Sequence, residues 1–172
     1  MKICNFRNKI VISVILGALI LGCYVMIFQF SADNEGDSSA ISSKITTVIM
    51  EIYDYFFGTD AVTQSAPSEG IGMADILEKV VRKIAHFTEF FLLGSLSYGL
   101  VYLWIDSRKK CVLILFIQLL LSAGFDELHQ SFVPGRYASV SDVMLDTLGG
   151  MTGVFILYLF LNRKRKIIKN ER

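Results

Sequence analysis

Four long apolar stretches alternate with charged or polar segments along the chain. The first, 10–30, carries no charged residue. At about 1.5 Å per residue it reaches about 30 Å, the thickness of a bilayer's hydrocarbon core. The second, 84–105, is apolar except for His86 and Glu89 near its start, and ends on Tyr102 and Trp104, ring types that settle at membrane interfaces. The third is free of charge only over 111–125, about 22 Å, and reaches full length at 111–132 by including Asp126, Glu127, His129 and Gln130. The fourth, 143–161, opens beside Asp142 and contains Asp146. These patterns predict an all-α integral membrane bundle of about four transmembrane helices. The first run is too long for a signal-peptide core, and Phe28-Gln29-Phe30 is a poor cleavage context, so an uncleaved span is expected.

The segment 31–83 between the first two spans is polar. Within it Ile41, Ile45, Val48, Ile49, Ile52 and Phe56 recur at helical spacing, which predicts an amphipathic helix lying on the outer leaflet or packed on the bundle. Residues 58–72, with Pro67, read as a flexible connection. Loop charge sets the orientation. Lys2, Arg7 and Lys9, then Arg108-Lys109-Lys110, then Arg163-Lys164-Arg165-Lys166 all fall on one side if the four runs cross. Both termini are therefore expected in the cytoplasm. Lys79, Arg82 and Lys83 run against this rule on the outer side. The basic run after span four reads as a topology anchor, with attraction to anionic lipid as the alternative.

Composition agrees with this picture. Of 172 residues 53% are hydrophobic and only 19% charged, with a mean hydropathy of +0.51; soluble domains average roughly 25% charged. The length suits a single domain covering 1–172. A net charge of +1 offers no bulk attraction for nucleic acid. Cys4, Cys23 and Cys111 form no C-x-x-C pair, and Cys23 and Cys111 sit in apolar runs as small hydrophobes.

The predicted orientation gathers the ionisable residues of spans two to four at the outer face. His86 and Glu89 share a helix face with Arg82 one turn earlier. Asp126 aligns with His129 and Gln130, and Asp142 with Asp146. Gly149, Gly150 and Gly153 continue the Asp146 face; small residues at this spacing let helices approach closely in lipid, so this face should carry Asp146 between spans two and three. Ionisable groups in a span cost free energy and mark functional sites by default. The plainer reading is that charges sit at helix ends and that Arg136 with Asp142 pins a hairpin. Two histidines and several carboxylates are zinc-ligand types, but no His-Glu-x-x-His is present, and neither metal nor cofactor is expected. His129 with Asp126 or Glu127 is a candidate acid–base pair. The same groups can instead form a hydrogen-bonded network holding a polar headgroup, with Arg136 on its Pro-Gly turn placed for a carboxylate or phosphate.

The stretch Arg82-Lys83-Ile84-Ala85-His86-Phe87-Thr88-Glu89-Phe90-Phe91-Leu92-Leu93-Gly94 resembles the first signature of the VanZ-like family. The stretch Asp126-Glu127-Leu128-His129-Gln130-Ser131-Phe132-Val133-Pro134-Gly135-Arg136, followed by Asp142, Asp146, Gly149 and Gly153, resembles the second. The resemblance implies a multipass bacterial cell-membrane protein associated with reduced susceptibility to teicoplanin, without an established reaction. It carries over Lys83, His86, Glu89, Asp126, Glu127, His129, Gln130, Pro134, Gly135, Arg136, Asp142 and Asp146 as motif positions only. Read on their own chemistry, His86, Glu89, Asp126, Glu127 and His129 are candidate catalytic residues, and Lys83, Gln130, Arg136, Asp142 and Asp146 candidate ligand-binding residues. The expected partners are the lipid bilayer and a lipid headgroup, a cell-wall precursor or a lipoglycopeptide, with no nucleic acid. Four functions stay open: an antibiotic-tolerance protein of the envelope, a hydrolase or transferase acting on a lipid-linked substrate, a small transporter, and a structural partner that dimerises through its glycine face into a helix-packed oligomer.

Overall fold

The computed structural model describes residues 6–32, 44–49, 51–52, 55, 73–133 and 137–170. Four long helices make up the bundle: α1 (Phe6–Ala32), α2 (Met73–Trp104), α3 (Arg108–Gln130) and α4 (Val140–Asn170). No strand occurs among the described residues. A helix satisfies its backbone polar groups internally, which is the condition a segment must meet to cross lipid. Phe6–Ser31, Lys79–Trp104, Arg108–Gln130 and Val140–Arg163 are each long and apolar enough to do so.

The helices are longer than the apolar runs that announced them. α2 begins at Met73, well before the expected span start at 84. Lys79, Arg82 and Lys83 end the apolar window without ending the helix, because lysine and arginine are good helix formers. α4 likewise continues through the basic run to Asn170.

α1 and α3 run one way, α2 and α4 the other. Tyr24 lies beside Ser122 and Phe28 beside His129, whereas Phe6 meets Trp104 at the opposite end of α2. Phe6, Trp104 and Arg108 therefore share one end of the bundle. There Lys9 Nζ donates to the Leu103 carbonyl (3.3 Å), Trp104 Nε1 donates to Ser13 Oγ (2.9 Å), and the Arg108 guanidinium lies 4.0 Å from the Tyr102 ring centroid.

The most extensive interface joins α2 to α4. It is close because glycines of α4, with Gly94 of α2, let the two backbones approach. A Cβ at Gly94 would overlap the Gly150 carbonyl, one at Gly153 would overlap the Phe91 carbonyl, and one at Gly149 would sit 2.6 Å from Phe87 O. Gly150 also packs under Leu119 of α3. The expectation that the glycine face turns toward spans two and three is met. Phe90, Leu93, Tyr98, Cys111, Leu115, Leu119 and Val154 fill the interior between α2, α3 and α4. α1 is peripheral: Val14, Ile15, Leu21 and Phe28 stay exposed, as lipid-facing positions do.

Residues 44–49 and 51–52 are helical, as the apolar spacing predicts. Ile45, Val48, Ile49 and Ile52 are all exposed, while Thr46 is buried. Ile41 and Phe56, at the ends of the predicted stripe, lie outside the described residues.

Candidate functional site

At the bundle end away from Phe6 and Trp104, three helices deliver polar side chains to one cavity of about 250 Å³. α2 presents Lys79, Arg82, Lys83 and His86 on successive turns of one face. α3 contributes Glu127 and Gln130 from its last turn, and α4 contributes Asp142 and Asp146. Tyr137, ahead of α4, completes the rim and is almost fully exposed. Lys79 and Lys83 are exposed, whereas Glu127 and Asp146 are buried. Asp126, Glu127 and Asp146 are 6%, 4% and 2% exposed.

Specific contacts hold this arrangement. Lys83 Nζ pairs with Asp142 Oδ1, tying α2 to the start of α4. The Ser139 N–H donates to Glu127 Oε2 (2.7 Å), so the end of α3 fixes the approach to α4. Gln130 Nε2 donates to Asp126 Oδ2 at 2.8 Å one turn away. Glu89 Oε2 lies 3.6 Å from His86 Nδ1 on the same face of α2. One potential ligand atom each from His86, Asp126 and Asp146, on three different helices, falls within 4.8 Å of the others.

A second, larger hollow of about 960 Å³ lies between α1 and α3. Val25, Ile27, Phe28, Phe90, Leu121 and Phe125 make its apolar walls, with Asp126 and His129 at one end. Tyr24, Gln118 and Ser122 close the other end, about 12 Å away along α3 by helical rise. These three form a network with Ser97. Tyr24 Oη and Ser122 Oγ are 2.8 Å apart, and Gln118 Nε2 donates to Tyr24 Oη (3.2 Å) and to Ser97 Oγ (3.1 Å).

The structure therefore divides the residues that the sequence grouped together. Lys83, His86, Glu127, Gln130, Asp142 and Asp146 line the polar cavity, and Glu89 supports His86 from α2. His129 belongs instead to the apolar groove, its ring 4.3 Å from that of Phe28. Its Nδ1 makes no hydrogen bond, so the candidate acid–base partners Asp126 and Glu127 are not joined to it through that nitrogen. The cause is α1, which offers an aromatic face on the side to which His129 points. Asp126 lines the groove while lying within reach of His86 and Asp146, so it joins the two hollows. Pro134, Gly135 and Arg136 lie outside the described residues. Sequence reasoning passed over Tyr24; the one available signal was Gln118, an amide in an otherwise apolar span that needed a partner.

A family model described as VanZ/LLP1 matches residues 15–161, which takes in the second and third spans, most of the first and fourth, and every residue that lines the two hollows. No curated protein and no solved structure matches the chain.

Proposed function

The chain belongs to the VanZ/LLP1 family, and from that premise we propose that it is a bacterial cell-envelope protein that lowers the effect of the lipoglycopeptide teicoplanin. Its termini face the cytoplasm and its polar cavity opens at the extracytoplasmic face. Its target there is an amphipathic compound: teicoplanin itself or a lipid-linked envelope component.

The observation that carries this reading is the adjacency of the two hollows through Asp126. A cavity with Lys79, Arg82 and Lys83 around buried carboxylates suits a polar headgroup bearing both charge and amides. An apolar groove beside it, between two membrane helices, suits an acyl chain still partly in the lipid. Teicoplanin and lipid-linked precursors share this combination of a polar head and a chain.

The test is to express wild type and Asp146→Asn at matched membrane levels in a sensitive Gram-positive host. Teicoplanin susceptibility and cell-bound teicoplanin are then measured. Wild type should protect, and the variant should lose most of that protection. Equal protection by both would remove the polar cavity from the function; no protection by wild type would end the resistance reading for this chain.

A further inference from the structure

We infer that His86, Asp126 and Asp146 form a binding site for a divalent first-row transition-metal ion of the Zn2+ or Mn2+ type. The inference goes beyond the functional reading above and does not rest on it.

The donors come from three helices, α2, α3 and α4, and one donor atom from each lies within 4.8 Å of the other two. Zinc binds imidazole nitrogen and carboxylate oxygen at about 2.0–2.2 Å, which places tetrahedral ligands about 3.4 Å apart. Side-chain rotations of on the order of 1 Å about these donors therefore close the site without moving a helix. One imidazole with two carboxylates suits zinc or manganese better than calcium, which takes six to eight oxygens.

A separate observation points to a missing cation. Asp146 is 98% buried by its 2% exposure, and among the described residues no hydrogen bond or ion pair is made to its carboxylate. Of the three cations lining the cavity, Lys83 pairs with Asp142, and among the described residues neither Lys79 nor Arg82 makes an ion pair with Asp146. A carboxylate in a membrane interior needs a countercharge or a proton, because an unpaired buried charge is costly. A divalent ion held between Asp146, Asp126 and His86 supplies the countercharge to both carboxylates.

The surroundings also suit a metal. Glu89 stands 3.6 Å from His86 Nδ1, and Gln130 holds the Asp126 carboxylate by a 2.8 Å hydrogen bond. Metal ligands are oriented by such outer partners. Three protein donors leave a coordination position open, as in catalytic rather than structural zinc sites. Because Asp146 also lines the polar cavity, a ligand in the cavity can reach that position.

The test uses the full chain carrying a tag without histidine, purified in detergent, stripped with chelator and dialysed against Zn2+ alone or Mn2+ alone. Bound metal is counted by elemental analysis, and melting is followed with and without the ion. Wild type should take up about one ion per chain, as a mononuclear site requires, and melt at a higher temperature with it. Asp146→Asn and His86→Gln should lose that uptake. Glu89→Gln, which leaves all three ligands in place, should weaken it about 10- to 100-fold, the usual cost of losing an outer-shell partner. Asp106→Asn, at the other end of the bundle, should bind as wild type does. Wild type that takes up neither ion would overturn the proposal, and so would undiminished uptake by the ligand variants and Glu89→Gln. Since the readout is metal content, its failure leaves the teicoplanin measurement untouched, and the reverse holds equally.

Discussion

Individual side chains at the polar end have separable roles. The Lys83–Asp142 pair is half-exposed on the lysine side and a third exposed on the aspartate side. Exposed ion pairs are worth about 0–1 kcal/mol. Lys83→Glu should therefore destabilise the fold by no more than about 1 kcal/mol, and adding Asp142→Lys should recover part of that loss in a denaturation series. Gln118 differs in that its partners lie inside the bundle. Interhelical hydrogen bonds in membranes average only about 0.6 kcal/mol. Gln118→Leu, which removes two such bonds, is expected to cost about 1 kcal/mol, while removing the polar floor of the apolar groove. Most of the polar cavity was legible residue by residue, because helical spacing aligns Arg82 with His86 and Asp142 with Asp146. His129 was not. Spacing places it over Asp126, but its direction is decided by Phe28 on α1, in the stretch 10–30 that carries no charge to announce the contact.

At the scale of elements, the spans and their order could be read from apolar length and loop charge, and the glycines of α4 correctly named its packing face. Helix ends could not be read in the same way. Hydropathy reports where the chain meets lipid, and α2 continues beyond that boundary to Met73. This extension places Lys79 and Arg82 over the cavity, so charges that looked like an exception to the topology rule become its rim. The groove was also illegible, since it arises from how α1 leans on α3, which no periodicity within either helix encodes. Close packing of α2 on α4 gives a sharp contrast between two glycines. Gly94→Ala should destabilise the protein by about 1–3 kcal/mol, as overpacking against a backbone does. Gly17→Ala, whose Cβ meets nothing within 4 Å, should be neutral or slightly stabilising, because alanine is the better helix former. Thermal melting of the two variants in detergent separates these outcomes.

For the molecule as a whole, the bundle is asymmetric along its length. Aromatic and basic side chains pin the end that holds Phe6, Trp104 and Arg108, while the buried carboxylates and His86 gather at the other. Loop charge predicts that the first end is cytoplasmic and the second extracytoplasmic. The proposed function rests on that orientation, because teicoplanin and cell-wall precursors awaiting assembly are encountered outside. Tyr137 is the natural reporter, since it lines the cavity and is 89% exposed. The decisive measurement is labelling of Tyr137→Cys, with Cys4, Cys23 and Cys111 replaced by serine, using a membrane-impermeant maleimide on intact cells. Full labelling without permeabilisation is expected; labelling that appears only after the membrane is opened would put the cavity on the cytoplasmic side and contradict the proposed function.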